Sequence, residues 1–184
     1  MEYLDICDEN GIPEGGRVER STAHSNDIRH RTAHVWIIRN RKGEYDILMQ
    51  KRSDNKDSFP GCYDTSSAGH IPAGDEPLQS ALRELSEELG IIADEGELKF
   101  AGIFRNHYEM EFYGKPFRDN EVSFVYAYEK PIDLSMLTLQ KEEVSEVRWF
   151  PLLYVYEKKL EDDPAFCVPI DGLMALMNYL GIDN

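Results

Sequence analysis

Residues 69–91 read GHIPAGDEPLQSALRELSEELGI, and their spacing predicts a helix with one apolar face and one acidic face. Three glutamates, Glu84, Glu87 and Glu88, lie one helical turn apart. Because carboxylates at this spacing repel one another unless their charge is offset, the acidic face favours a bound metal ion. Apolar residues at helical intervals form the other face, which can pack against a core. These residues are Leu78, Ala81, Leu82, Leu85 and Leu89.

Both ends of this helix carry sequence signals. Asp75 is a candidate N-cap, Pro77 suits the first turn, and Gly90 suits the C-terminal stop. The alternative interpretation is a solvated acidic face on an ordinary amphipathic helix, which a glutamate-rich run usually indicates. The spacing of the residues around the glutamates decides between the two interpretations.

The glutamates belong to a longer array with fixed spacing. Gly69 is followed by five residues and the acid Asp75, and after seven more residues the chain reads RELSEELGI at 83–91. This array resembles the Nudix box, GX5EX7REUXEEXGU, in which U is apolar. Every fixed position matches except Asp75, where the family has glutamate, and the adjacent Glu76 offers a substitute carboxylate.

The resemblance implies an α/β fold, the Nudix α/β/α sandwich around a mixed β-sheet. It also implies a metal-dependent hydrolase that cleaves a diphosphate linkage in a nucleoside diphosphate or another diphosphate joined to a further group. In the implied mechanism, Glu84, Glu87 and Glu88 bind Mg²⁺ or Mn²⁺ ions that bridge the diphosphate of a small-molecule substrate. Arg83 orients these carboxylates or contacts phosphate directly. Glu121 is a further ligand or the general base, and Glu87 is the alternative base.

Three other segments resemble a narrower branch of the same superfamily. HRTAHVWII at 30–38, QKRSDNKDSFPGCYDTSSAGH at 50–70 and DNEVSFVY at 119–126 are similar to isopentenyl-diphosphate isomerase and its hydrolase-like relatives. By position, the metal ligands of the isomerases fall on His24, His30, His70, Asp119 and Glu121. This set implies a second divalent metal at a histidine and carboxylate site. Each histidine also has a purely structural interpretation, as a hydrogen-bonded or surface residue.

One position argues against isomerase chemistry. The isomerases carry an essential cysteine just before the Gly-His that corresponds to Gly69 and His70, and this chain has Ala68 there. A methyl group cannot transfer a proton, and moving a double bond needs both an acid and a base. Hydrolysis is therefore the favoured reaction. An isopentenyl-diphosphate isomerase-like enzyme and a non-catalytic metabolite-binding module are the alternatives.

A basic cluster precedes the box. Lys51, Arg52 and Lys56 match positions that hold the diphosphate in the isomerases, so we expect them to bind substrate, with solvated surface residues as the alternative. The aromatic residues nearby have three alternative interpretations: they stack a base, they line an apolar pocket, or they pack in the core. They are Phe59, Tyr63, Phe104, Tyr108, Phe112 and Tyr113.

Composition fits one domain, residues 1–184, with an N-terminal extension at about 1–22 and a C-terminal helix at about 171–181. The 35 acidic and 20 basic residues give a net charge of −15, which argues against nucleic-acid and membrane partners. Three scattered cysteines and the absence of a signal sequence or a long apolar run predict a cytoplasmic protein. A homodimer is left open.

Periodicity and turn residues predict the remaining elements. A hairpin is expected around Asn10 and Gly11, and strands at 34–40 and 45–50 are expected to flank a turn at 41–44. Further strands are expected at 98–105, 121–128 and 147–150, with helices at 151–160 and 171–180.

Overall fold

The computed structural model describes residues 2–182. The first half of the chain forms β1 (Tyr3–Cys7), β2 (Pro13–Glu19), α1 (Arg20–Ser25), β3 (His30–Arg41), β4 (Glu44–Arg52), β5 (Tyr63–Asp64), β6 (Ser67–His70) and α2 (Pro77–Leu89). The second half forms β7 (Leu98–Phe112), β8 (Lys115–Tyr128), β9 (Val144–Pro151), α3 (Leu152–Leu160) and α4 (Ile170–Tyr179). Single 3₁₀ turns at Glu95–Glu97 and Leu134–Met136 lie in the connections.

A mixed sheet forms the centre of the fold. Its main strand order is β5-β4-β3-β8-β7, with β6 also paired to β3 and β9 also paired to β4. Strands β3 and β8 run parallel, from His30 opposite Glu121 to Ile37 opposite Tyr128. The other pairs in this sheet are antiparallel. The predicted mixed sheet is therefore confirmed.

Helices cover both faces of this sheet because β3 alternates apolar side chains toward two cores. Val35 and Ile37 pack with Leu85 and Leu89 of α2 on one face. Trp36 and Ile38 pack on the other face with residues of α3 and α4. The predicted α/β/α sandwich is confirmed, and so is the apolar face of the helix.

The ends of α2 agree with the sequence at two positions out of three. Pro77 lies in the first turn, and Gly90 ends the helix in the left-handed conformation with φ +71°. The N-cap residue is Glu76, whose side chain makes no capping hydrogen bond, so the prediction of Asp75 as the cap was wrong. Asp75 lies one residue earlier, and its carboxylate is instead 4.0 Å from the Arg83 guanidinium.

The other predicted elements are present, mostly with longer bounds. The N-terminal hairpin is the β1–β2 pair, which forms a sheet of its own. Three elements were missed: α1, which is short, and β5 and β6, which are too brief for periodicity to reveal. Strands β7 and β8 extend well beyond their predicted ends, as a hairpin whose polar residues alternate outside the core. Residues 1, 183 and 184, at the two ends of the predicted domain, lie outside the described residues.

The short strands β5 and β6 fill the gap that opens where β3 and β4 separate. Ser66 lies at this point: its hydroxyl accepts a hydrogen bond from the Ile37 N–H at 2.8 Å and donates one to the Leu48 carbonyl. Strand β6 then pairs with β3, which places Gly69 opposite Ala33. This arrangement brings residues 68–70 over the acidic face of α2.

The sequence predicts no membrane-spanning helix. Within residues 2–182, none of the helices is both long and apolar enough to cross a bilayer.

Candidate active site

Most of the predicted site residues line a cleft of about 1140 Å³. Its walls come from α1, the loop after β4, β6, α2 and the β7–β8 hairpin. The predicted residues that line it are His24, Arg52, Lys56, His70, Glu84, Glu87, Glu88, Asp119 and Glu121. Segments distant in sequence therefore meet at one opening.

Three predicted residues are not among those that line the cleft. His30 is fully buried behind the cleft wall. Arg83 lies beside the cleft on α2 and donates to Glu84 Oε1 at 2.6 Å and to the His70 carbonyl at 3.1 Å. Lys51 is adjacent to Arg52 on β4, and because strand residues alternate it points to the other side.

Glu84 packs directly on the backbone of Gly69. A Cβ placed on Gly69 would lie 2.2 Å from Glu84 Cδ, so only glycine leaves room for this carboxylate. Burial raises the pKa of Glu84, although the Arg83 guanidinium acts in the opposite direction. The invariant spacing from Gly69 to Glu84 in the box therefore has a steric basis in this fold.

Glu88 and Glu87 occupy contrasting environments. Glu88 is 4% exposed and its Oε2 accepts from Gln50 Nε2 at 3.1 Å and from the Ala68 N–H at 3.2 Å. Burial raises the pKa of Glu88 to about 8. The Glu87 side chain is 57% exposed, and its carboxylate lies 3.8 Å from Arg83 Nε.

The histidines and carboxylates of the second predicted metal site form a compact cluster, His24, His30, His70, Asp119 and Glu121. His24 Nε2 lies 3.2 Å from His70 Nε2, and His24 Nδ1 lies 3.4 Å from Asp119 Oδ1. Glu121 Oε1 lies 3.5 Å from His30 Nε2 and 3.7 Å from His70 Nε2. We call these five residues the histidine–carboxylate cluster.

Ligand spacing separates this cluster from the box glutamates. Two sets of candidate ligand atoms among residues 2–182 lie within 4.8 Å of one another: His24, His30 and His70, and His30, Asp119 and Glu121. The box glutamates are not part of either set. Their carboxylates instead contact Arg83, Gln50 and the Ala68 N–H.

Charge and burial in the cluster follow from its packing. Burial, then the coulombic effect of Arg20, holds the pKa of His70 well below its ordinary value. Burial also opposes the charged form of His30, but hydrogen bonding and charge from Glu121, among other contributions, leave the pKa of His30 raised. Burial, then Asp119, raises the pKa of Glu121.

Two candidate ligand atoms of the cluster lack a hydrogen bond of good geometry. Within the described residues, His30 Nε2 and Asp119 Oδ1 are buried, and their ion-pair contacts, to Glu121 Oε1 at 3.5 Å and to His24 Nδ1 at 3.4 Å, lack good hydrogen-bond geometry. Buried polar atoms are normally paired, because an unpaired one costs roughly 1–3 kcal/mol. Imidazole nitrogens and carboxylate oxygens are also the donor set that zinc and manganese take. The residues present therefore fit a divalent metal.

Two basic residues that line the cleft, Arg52 and Lys56, form ion pairs with acidic residues. Arg52 donates to Asp64 Oδ2 at 3.0 Å and to the Ser58 carbonyl at 3.0 Å. Lys56 contacts the Glu143 carboxylate. Two of the three predicted basic residues thus face the cleft, already paired.

An aromatic wall, Phe59, Tyr108, Phe112 and Phe117, lies across the cleft from α2. The Phe59 ring lies 4.9 Å from Phe112 and 5.8 Å from Tyr108, and the Tyr113 hydroxyl donates to the Lys56 carbonyl at 3.2 Å. Of the other predicted aromatics, Phe104 belongs to the core.

Sequence reasoning missed Gln50 and Phe117 in the site. Gln50 holds Glu88, and its signal was a polar residue that follows the apolar run ILM in β4. Phe117 stacks on the His24 ring at 4.6 Å. No spacing pattern pointed to it, because the β7–β8 hairpin brings it to α1 only in the folded chain.

Comparison with known proteins places this geometry in a family. The family model described as "NUDIX domain" matches residues 28–166. Nudix hydrolase 3 of Arabidopsis thaliana is 41% identical over 172 residues, which is 92% of this chain and 22% of the relative. A Nudix hydrolase of Clostridium acetobutylicum is 37% identical over 143 residues, covering 78% of this chain and 66% of the relative. The chain thus spans less than two thirds of the length of these two relatives.

A solved structure from Deinococcus radiodurans has the same fold. It superimposes with a TM-score of 0.66 at 16% identity and covers 95% of this chain and 98% of its own. With the family model matched over most of the sequence, the glutamate-bearing helix against Gly69 and the mixed sheet between helices, this chain belongs to the NUDIX domain family.

Proposed function

We propose that this chain is a metal-dependent hydrolase that cleaves a diphosphate linkage in a nucleoside diphosphate or another diphosphate joined to a further group. One observation carries the proposal: the box glutamates and four members of the histidine–carboxylate cluster open onto the same cleft. A diphosphate in this cleft would contact carboxylate-held cations on one side and the aromatic wall on the other. Names of relatives at 37–41% identity agree with hydrolase activity.

In this proposal Glu84, Glu87 and Glu88 hold Mg²⁺ or Mn²⁺. When bound, such ions lower the pKa of a water and stabilise charge that develops on the phosphates. Gly69 leaves room for the Glu84 carboxylate, and Gln50 positions Glu88 through its amide N–H. Arg83 orients Glu84 through a charge-assisted hydrogen bond and lies within reach of Glu87.

Two residues are candidates for the general base that removes a proton from the attacking water. Glu87 is exposed to the cleft and is available for proton transfer. Glu121 is buried beside His30 and His70. Comparing the Glu87→Gln and Glu121→Gln variants at saturating metal distinguishes them, because loss of the base lowers kcat while loss of a ligand is partly rescued by more metal.

We further propose that the histidine–carboxylate cluster holds a second divalent ion. The short distances within it, and the buried His30 Nε2 and Asp119 Oδ1 that lack a hydrogen bond of good geometry, support this proposal. The arrangement also supports membership in the branch that resembles isopentenyl-diphosphate isomerase and its hydrolase-like relatives. Arg52 and Lys56, which line the cleft, are the proposed phosphate contacts, and Lys51 is a weaker candidate because it faces away.

An isopentenyl-diphosphate isomerase-like activity is the second candidate, and the histidine–carboxylate cluster is the observation in its favour. Against it, Ala68 offers a methyl group and only its backbone N–H contacts Glu88. The two candidates separate in D₂O: an isomerase exchanges deuterium into isopentenyl diphosphate, which proton NMR detects, and a hydrolase does not.

The expected setting is a cytoplasmic single Nudix domain, residues 1–184, that acts on a small molecule rather than on nucleic acid or a membrane. The net charge of −15 supports the exclusion of polyanionic partners. The three cysteines are free thiols, as expected in a reducing compartment. A homodimer is testable by light scattering.

A substrate screen tests the proposed function. Nucleotide sugars, dinucleotides, nucleoside triphosphates and prenyl diphosphates are incubated with the chain and Mg²⁺, and released phosphate or diphosphate products are measured. We expect turnover of at least one class. If no class is turned over with Mg²⁺ or Mn²⁺ while a member of the panel binds, the chain is a non-catalytic metabolite-binding module.

A further inference from the structure

Two cysteines far apart in sequence meet beside the Arg52–Asp64 ion pair. Cys62 ends the loop after β4, and Cys167 lies between α3 and α4. Backbone hydrogen bonds join the two segments: the Tyr63 N–H donates to the Ala165 carbonyl at 2.7 Å, and the Cys167 N–H donates to the Tyr63 carbonyl at 2.9 Å. The two segments therefore pair in parallel, with Tyr63 opposite Phe166.

This register turns both thiols to the same side. The Tyr63 and Phe166 rings lie together at 5.8 Å and pack on the core. Because neighbouring residues in an extended segment alternate, Cys62 and Cys167 point the other way, and both line the cleft. The Cys62 thiol donates to the Pro164 carbonyl at 3.3 Å and the Cys167 thiol donates to the Tyr63 carbonyl at 3.5 Å, so each thiol contacts the opposite segment, with Arg52, Asp64 and Lys159 as the nearby charges.

The contact makes the two thiols unequal. The interaction with Cys167 lowers the pKa of Cys62 to about 7, with Arg52 acting in the same direction against burial. The same contact raises the pKa of Cys167 well above its ordinary value. Since the thiolate is the nucleophile, Cys62 is the attacking sulfur of the pair. Cys7 offers a contrast, because burial raises its pKa to about 11.

We propose that Cys62 and Cys167 are a redox modification site that forms a reversible intramolecular disulfide when a peroxide reaches the cleft. The Cys62 thiolate attacks one peroxide oxygen; the O–O bond breaks, an S–O bond forms, and hydroxide leaves. The Cys167 sulfur then attacks Cys62, the S–S bond forms, and the Cys167 proton leaves with the displaced hydroxide as water. The thiols lose two electrons in total and the peroxide gains them.

The disulfide would join the end of the loop before β5 to the segment before α4, next to the Arg52–Asp64 pair in the cleft. It would remove the Cys62 thiolate from the surroundings of Arg52 and fix the 163–168 segment to the cleft wall. Intracellular disulfides of this kind are usually transient and redox-sensing rather than structural. The proposal does not depend on the hydrolase activity, because the disulfide is detected directly.

The test treats the full chain with one equivalent of hydrogen peroxide, then denatures it, alkylates the free thiols and maps the peptides by mass spectrometry. We expect the free thiols to fall from the 3 cysteines of the sequence to Cys7 alone. A Cys62–Cys167 crosslinked peptide should appear in monomeric protein, and dithiothreitol should remove it. Absence of the crosslink, or oxidation of all three thiols at similar rates, would overturn the proposal.

Matched serine variants define the roles of the three thiols. Cys7→Ser should leave crosslink formation unchanged, and Cys62→Ser should abolish it. In Cys167→Ser, a sulfenic-acid reagent such as dimedone should label Cys62, because the sulfur that resolves the sulfenic acid is missing. Labelling of Cys7 instead of Cys62, or a crosslink that includes Cys7, would contradict the assignment. The Cys62–Cys167 crosslink is itself measured on the wild-type chain, so the proposal stays testable if a variant fails to fold.

Discussion

The box glutamates and the histidine–carboxylate cluster face the same cleft but are assembled in different ways. Glu84, Glu87 and Glu88 come from one helix, and contacts with Ala68, Gly69 and His70 position that helix against β6. The cluster takes its ligands from α1, β3, β6 and β8, so it exists only when the whole sheet is formed. The box glutamates are thus close in sequence and the cluster residues are distant in sequence, and both groups face the same cleft.

The two regions also differ in how tightly their ligand atoms are grouped. Within each of its two three-residue sets, the cluster holds its ligand atoms within 4.8 Å of one another. The box carboxylates are spread between Arg83, Gln50 and solvent. We infer that the cluster is preorganised for a metal, whereas the box glutamates rearrange when magnesium and diphosphate bind together. The following predictions test this contrast.

The largest expected effect is on the box. Glu88→Gln or Glu87→Gln removes a negative charge from the proposed magnesium site, and we expect kcat to fall by about 10³-fold. Steady-state phosphate release with the best substrate measures it. Glu157→Gln, an exposed glutamate on α3, is the matched control and should keep full activity. Persistent activity in both box variants would remove these residues from the mechanism.

The second effect tests the steric contact that orients the box. Gly69→Ala places a methyl group within 2.2 Å of Glu84 Cδ, so the carboxylate must move. We expect a loss of about 100-fold in kcat, because the ligand is displaced, and only a small change in the free energy of unfolding, because the atoms that must move are the end of a flexible side chain. Gly96→Ala is the control, because a Cβ at Gly96 meets no described atom within 4 Å. Equal behaviour of the two variants would show that Glu84 is not fixed by Gly69.

The third effect addresses the cluster. His24→Ala removes one ligand, and we expect the affinity for Zn²⁺ or Mn²⁺ to fall by about 100-fold while the box retains its response to Mg²⁺. Isothermal titration calorimetry of the metal-free chain measures the change. His107→Ala is the control, since the His107 side chain is 64% exposed and pairs with Asp27 away from the cluster. An unchanged affinity for both metals in His24→Ala would contradict the second metal site.

The smallest effect concerns Gln50. Gln50→Leu removes the amide donor to Glu88 Oε2 and leaves the Ala68 N–H in place, and we expect kcat to fall by about 10-fold. A higher Mg²⁺ concentration for half-maximal rate should accompany the loss, because a misplaced ligand weakens binding as well as turnover. Gln79→Leu, on the exposed face of α2, should change neither quantity. An unaltered metal dependence in Gln50→Leu would assign Gln50 to packing alone.

The same contrast explains what the sequence could predict. The box helix, its apolar face and its Gly90 stop depend on residues close in sequence, and periodicity reveals them. The buried run of β3 likewise marks a central strand covered on both faces. The predicted cap at Asp75 failed because two adjacent acids offer the same local signal, and the fold selects Glu76.

Long-range contacts were beyond sequence reasoning. Phe117 reaches His24 because the β7–β8 hairpin curves toward α1, and neither residue carries a local signal for the other. Lys51 and Arg52 look equivalent in a basic run, but strand alternation sends Arg52 alone into the cleft. The Cys62–Cys167 contact joins residues that only the register of Tyr63 with Phe166 brings together.

The central claim is that a diphosphate is hydrolysed in this cleft. Reaction in ¹⁸O-labelled water with Mg²⁺, followed by ³¹P NMR of the products, tests it most directly, because hydrolysis inserts a water oxygen into a phosphate. We predict ¹⁸O in one phosphate product of the wild-type chain, and labelled product formed about 10³-fold more slowly by Glu88→Gln. Products without ¹⁸O, or equal rates of labelling by the two proteins, would contradict it.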